Sequence, residues 1–399
     1  MSSPTMVVPI FPDHPLDHPL PSLYELQARR CHLERLCSTI RKAKPEFRLY
    51  FEYLAAILLV DKQKIGSRGR LSTTAVSLYV VKDRLEFISP FCKHYMFHLD
   101  PKNFEDDNWQ HAKPRLPEPQ HPVNHELFNM DNIDEDIIRA AMYYSSCFKT
   151  DPDLDPVHPD QEQEDLCLER DGRKCVLTGE SNVRIFHFIP ITWNDTVDHN
   201  NATGMLKGAS VEIADINLLN APATICSANE LGTSHKAWNM LCVNEDIYGY
   251  LVKGLCSFRF MNYETIGKGQ ALVNLQFYWM PKLPGRFNVD ISKERFQAAT
   301  EGLKLLQRFT TYYNQGCPTE FPESSEIGKK LKSGHSIDMT MSEQDAMKLE
   351  SAVKVHWACI LFTALCGGAG RAWNLTGMDL SNGSLDPRDH AFEGEDYEE

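Results

Sequence analysis

Apolar positions recur at helical spacing in several stretches of the chain. Leu23, Leu26, Cys31, Leu33 and Leu36 predict a helix over residues 22–40. Pro45 interrupts, and residues 47–60 supply a second apolar helix. Residues 75–81 and 85–88 are rich in β-branched and aromatic types and predict a hairpin across Lys82 to Arg84. Ile137, Ile138, Ala141 and Met142 predict a helix over 134–148. Phe296, Leu303, Leu305, Leu306 and Phe309 predict another over 292–313. A long final helix should start near Ser342. Its expected cap is Thr340 with Glu343, a hydroxyl and a carboxylate three residues apart. Ala346, Leu349, Val353, Trp357, Ile360 and Leu361 follow one face of it, and Gly367 to Gly370 end it. No repeat occurs at a solenoid period.

Punctuation divides the chain. Residues 1–20 repeat Pro and His and read as an irregular arm. Residues 21–150 form a mostly helical region with the hairpin. Residues 151–166 carry Pro152, Pro156 and Pro159 among acids and read as a linker. A central domain spans 167–290, a helical region 291–377, and an acidic tail 378–399. The expected class is α+β.

Charge sharpens this division. The net charge is −14. Residues 151–166 hold seven acids and no Lys or Arg, and residues 378–399 hold eight acids and one Arg. The acidity therefore sits in the linker and the tail, and the rest of the chain is neutral overall. It leaves a nucleic-acid partner open, although no basic stripe announces one. An apolar fraction of 42% and a charged fraction of 24% suit a globular protein. The N-terminus lacks a basic start and a long apolar run, and no apolar stretch nears the ~20 residues of a membrane span. With twelve cysteines, the expectation is an intracellular protein, nuclear or cytoplasmic and not secreted, with reduced thiols and no membrane partner.

The most informative motifs lie in the central domain. It opens with Cys167-Leu-Glu-Arg-Asp-Gly-Arg-Lys-Cys175-Val-Leu-Thr-Gly179. Phe186-His187-Phe188-Ile189-Pro190 follows, then Trp238-Asn239-Met240-Leu241-Cys242 and Tyr248. Val273-Asn-Leu-Gln-Phe-Tyr-Trp-Met-Pro281 closes it. In this order the pieces resemble the HNH nuclease domain of many fungal proteins, over roughly 120 of 399 residues. The resemblance implies a ββα element that holds one divalent ion, Mg²⁺ or Zn²⁺, against a DNA phosphate. His187 takes the place of the general base on the first strand. Asn239 takes the place of the Asn that braces the catalytic loop. The family's metal-binding His should fall at about position 248, and here that residue is Tyr248. A neutral phenol is a poor ligand for a hard cation. Asn244, Glu245 and Asp246 lie close by as substitutes; on a helix Asn244 shares a face with Tyr248, whereas Glu245 and Asp246 point elsewhere.

The implied activity is metal-dependent phosphodiester hydrolysis by an HNH-type endonuclease, or a degenerate descendant of one. The rival reading is a non-catalytic interaction or regulatory protein that keeps the fold as a scaffold.

Other signals are weaker. Cys167, Cys175, Cys226, Cys242 and Cys256 lack the paired spacing of a zinc knuckle and read as buried free thiols. Asp195, Asp198, His199 and His235 lie between His187 and Asn239; they could supply metal ligands from the loop, but they read by default as solvated loop polarity. Ile266-Gly-Lys-Gly269 reads as a hairpin turn and not a phosphate loop. Lys64 to Arg70 is the most basic loop, expected to be solvated unless it meets phosphates.

Overall fold

A helix that is apolar on nearly every side must be wrapped by its neighbours. The C-terminal helix of this chain is such an element. It spans Glu343–Leu365, and from Ala346 to Leu365 most of its side chains are buried. The computed structural model describes residues 23–43, 45, 47–76, 78–110, 148–280, 282–287 and 331–377. The expected arm, the helices over 134–148 and 292–313, and the acidic tail lie outside these residues, apart from Phe148.

The longer helices among the described residues are α1 Leu23–Ala43, α2 Phe51–Leu59, α3 Leu78–Glu86, α4 Ile88–His98, α5 Gln161–Arg170, α6 Val197–Met205, α7 Lys207–Ala214, α8 Glu245–Val252 and α9 Glu343–Leu365. Among the described residues, five strands form two antiparallel sheets. β1 Val183–His187 pairs with β2 Met240–Asn244. β3 Cys256–Gly267, β4 Gln270–Trp279 and β5 His335–Ser342 form the second sheet in that order. The class is α+β.

The three-stranded sheet alternates as a half-buried sheet should. Ala271, Val273, Leu275 and Phe277 of β4 are buried, as are Ile337, Met339 and Met341 of β5, while Asp338 and Thr340 between them are exposed. Helix α9 packs against β3, β4 and β5. It also touches α2, α4 and α7 and so forms the axis of the core. Gly267, Lys268 and Gly269 turn the β3–β4 hairpin with positive φ, as the glycine spacing foretold.

Three expectations change. The hairpin over residues 75–88 is replaced by α3 and the start of α4. The buried residues Val80, Val81, Leu85 and Ile88 are spaced for one helical face, and Lys82 bridges Glu86 one turn later at 2.6 Å. The α9 cap is Ser342, whose hydroxyl accepts from the Asp345 N–H at 3.0 Å; Thr340 is still in β5. The linker is half helix, because Asp160 caps α5 by accepting from the Gln163 N–H. Its first half is largely exposed but tied down, with the Asp151 N–H donating to Ala228 O and the Val157 N–H to Asp195 O.

Candidate functional site

Strand β1 ends on His187, and β2 begins opposite it with Met240. Helix α8 follows β2 directly, so the chain makes two antiparallel strands and a helix around one point. Asn239 sits just before β2, with the whole strand between it and α8. It is fully buried, and its amide is saturated. Oδ1 accepts from the Ile189 N–H at 2.8 Å, and Nδ2 donates to Ile189 O at 2.8 Å and Ser234 O at 2.9 Å. The Asn239 backbone carbonyl accepts from the Phe188 N–H at 3.0 Å. The segment leaving His187 is therefore stapled to the segment entering β2.

The opening motif has a structural role that its spacing did not reveal. Arg170, the last residue of α5, reaches under both sides of Asn239. Its guanidinium donates to Ala237 O at 2.9 Å and Met240 O at 2.7 Å, and it grips the Asp171 carboxylate at 2.6 and 2.9 Å. Asp171 in turn accepts from the Cys242 N–H at 2.8 Å. Charge-assisted bonds of this kind are the strong ones. Their signal in the sequence was the adjacent Arg and Asp before Gly172, which turns with φ 66°.

His187 lines a cleft of about 410 Å³ together with His98, Glu164, Arg184, Pro190 and Tyr248. Burial, reinforced by His235, holds its imidazole down to about 3, so the ring is neutral with a lone pair available. Glu164 is shifted upward, first by burial and then by Asp165 and Asp160.

The structure thus brings His187, Asn239 and Tyr248 to one place, but Tyr248 and Asn244 are not ligands in waiting. The Arg184 guanidinium lies 3.6 Å above the Tyr248 ring and donates to Glu245 at 2.9 Å. Burial, with Asp100 and Glu245 outweighing Arg184, pushes the phenol up to about 12, so it keeps its proton at neutral pH. Asn244 does not share a helical face with Tyr248. It is the cap of α8: Oδ1 accepts from the Ile247 N–H at 2.9 Å, and Nδ2 donates to Glu180 at 2.6 Å. Both ends of its amide are spent.

The remaining candidates fall elsewhere. His235 turns both ring nitrogens to carbonyl oxygens, of His158 at 3.1 Å and Ile191 at 3.0 Å. Asp198 is exposed, and His199 pairs with Asp195. The described cysteines are free thiols, and Cys167, Cys175, Cys226, Cys242 and Cys256 are buried. In the basic loop, Lys64 is buried and paired with Asp215 at 2.6 Å, and Arg70 binds Glu212 at 2.7 Å. Those two charges serve α7 and are not offered to phosphates. No helix among the described residues is long and apolar enough to cross a membrane.

No family model, curated protein or solved structure matches the chain.

Proposed function

We propose that this chain is an HNH-like protein that keeps the strand–strand–helix scaffold of a nuclease centre and has lost metal-dependent hydrolysis. Its cleft beside His187 then serves as an interaction surface. The observation that carries this reading is the Tyr248 ring held beneath Arg184 at 3.6 Å, at the position where the third motif residue of a nuclease would hold the ion. The scaffold half rests on Asn239, whose amide braces the residues that follow His187 as the resemblance requires.

The donor set does not fit Mg²⁺ or Zn²⁺ at this point. Tyr248 keeps its proton, and the Asn244 amide is committed at both ends. His187 alone is a single ligand, and both ions need several. A histidine held down to about 3 is also a weaker proton acceptor than a free imidazole.

A working DNA endonuclease is the second reading. What favours it is that Glu164 and His98 line the same cleft as a neutral, lone-pair-bearing His187. Nicking of supercoiled plasmid in Mg²⁺, Mn²⁺ or Zn²⁺ separates the two. Wild type should match a buffer control, and Tyr248→His should gain at most partial cleavage. Cleavage by wild type that disappears in His187→Ala would establish the nuclease and end the scaffold reading.

A further inference from the structure

Three histidines from two helices stand ring to ring, and one of them, His98, also lines the cleft beside His187. His94 and His98 lie one turn apart on one face of α4, with ring centroids 4.2 Å apart. His199 of α6 brings its ring centroid to 5.0 Å from that of His98.

Their neighbours fix which nitrogen of each ring carries the proton. His98 Nδ1 lies 2.9 Å from Thr192 Oγ1. That hydroxyl directs its single proton to the His98 carbonyl at 3.2 Å, so toward the ring it accepts. His94 Nε2 meets Thr203 Oγ1 at 2.9 Å, and Thr203 donates its proton to Trp193 O at 3.0 Å. His199 Nδ1 donates to the Asp195 carboxylate at 2.7 Å. Each ring therefore has its N–H anchored and presents a lone pair at the other nitrogen: Nδ1 of His94, Nε2 of His98 and Nε2 of His199. The first two are buried and have no hydrogen-bond partner among the described residues. Buried acceptors without donors are costly, and such exceptions call for an explanation.

We propose that His94, His98 and His199 form a binding site for a d-block divalent cation of the Zn²⁺ or Co²⁺ class, with Asp195, Thr192 and Thr203 orienting the three imidazoles. The reading shares His98 with the cleft beside His187 but does not rest on the proposed function, since His187 and Tyr248 take no part in it. Imidazole suits these ions and not Mg²⁺ or Ca²⁺, which prefer oxygen. Anchoring of the second ring nitrogen by a carboxylate or hydroxyl is the usual support of a metal-bound histidine. His199 is the least buried of the three, with 19% of its side chain exposed, and gives the ion a way in and a fourth ligand from water.

A competing cluster exists. The donor atoms of Cys167, Asp171 and Cys242 lie within 4.8 Å of one another, whereas those of the three histidines are more widely spaced and close on an ion only by a ring rotation that lengthens the bonds to Thr192, Thr203 or Asp195. But Arg170 Nη2 stands 3.4 Å from Cys167 Sγ and 2.9 Å from Asp171 Oδ2, so that cluster already has its cation. The Cys167 thiol is also pushed far up, by its bond to Cys242 and by burial, whereas a metal needs the thiolate.

The test is titration of the full chain, stripped with a chelator, with Co²⁺ followed by its visible d–d bands, and displacement by Zn²⁺. Wild type should bind one equivalent, without the near-ultraviolet bands of a cobalt–thiolate bond. His98→Ala and His199→Ala should each weaken binding at least about tenfold, and Asp195→Asn roughly 10–100-fold. Cys167→Ser and His187→Ala should leave the titration unchanged. Circular dichroism checks folding. Should His98→Ala unfold, His199→Ala at the partly exposed position decides. No binding by wild type, binding indifferent to the histidine changes, or binding lost in Cys167→Ser would each overturn the proposal.

Discussion

Single side chains decide the character of the site. Asn239 makes three hydrogen bonds from a fully buried amide, and two of them hold Ile189. Truncation to Ala strands the Ile189 N–H, its carbonyl and the Ser234 carbonyl away from water. Each stranded group costs on the order of 1–3 kcal/mol, and relaxation shares part of it. Asn239→Ala should therefore lose about 3–4 kcal/mol in urea denaturation. A loss below 1 kcal/mol would mean that the staple is not what holds the two segments. The resemblance put His187 and Asn239 in one place, and in the fold the residues that follow His187 are bonded to Asn239. The sequence could not show that Asn244 is spent as a cap, because an Asn before a helix looks the same whether its amide is free or bonded. It also could not show Arg184 above Tyr248, because that contact joins residues 64 positions apart through a β pairing.

At the scale of elements, local signals were legible where one face of one element settles the matter. The α9 pattern, its glycine stop and the β3–β4 turn are all visible in the chain. The register of the cap was misplaced by two residues, since Thr340 and Ser342 both offer a hydroxyl before an acid and only the end of β5 chooses between them. The Val and Tyr residues of α3 favour strands, and tertiary burial of one helical face overrides that preference. Strand β5 gave no reading at all. The glycine stop can be tested at two positions of the same backbone type. Gly367 has φ +76°, and a Cβ there would stand 2.1 Å from Pro284 O. Gly370 has φ +75° with nothing within 4 Å. Gly370→Ala should cost only the conformational strain, about 1 kcal/mol. Gly367→Ala should cost at least 2 kcal/mol more, roughly, because backbone must move. Equal melting temperatures for the two variants would show that the Pro284 segment yields freely.

At the scale of the whole molecule, one imidazole links the parts. His356 lies at 0% exposure midway along α9. Its ring is packed edge-to-face against Phe186 and Phe188, at 5.5 and 5.4 Å, on either side of His187. Tyr95 of α4 donates its hydroxyl proton to Phe188 O at 2.7 Å and so accepts from His356 Nδ1 at 2.7 Å. The Phe258 N–H of β3 points at Nε2 from 3.4 Å. The central helix, α4, the His187 segment and the three-stranded sheet thus meet at one neutral ring. Protonating Nε2 would set a donor against a donor in an apolar surround, and burial accordingly holds the group down to about 3, against 6.5 when unfolded. Between those values the unfolded chain takes up a proton that the folded chain refuses. Stability is therefore whole above about pH 6.5 and falls as the pH drops toward 3, by up to roughly 1.4 kcal/mol per pH unit for this residue. At pH 5 the loss from His356 alone should be about 2 kcal/mol. His356→Gln keeps a neutral donor and acceptor near the same place and removes the titration. It should be less stable than wild type at pH 7.5 but lose about 2 kcal/mol less on going to pH 5. Urea midpoints of both proteins at the two pH values give the comparison. Parallel losses would show that the ring takes up its proton in the folded state, and that this junction is wetter than its packing implies.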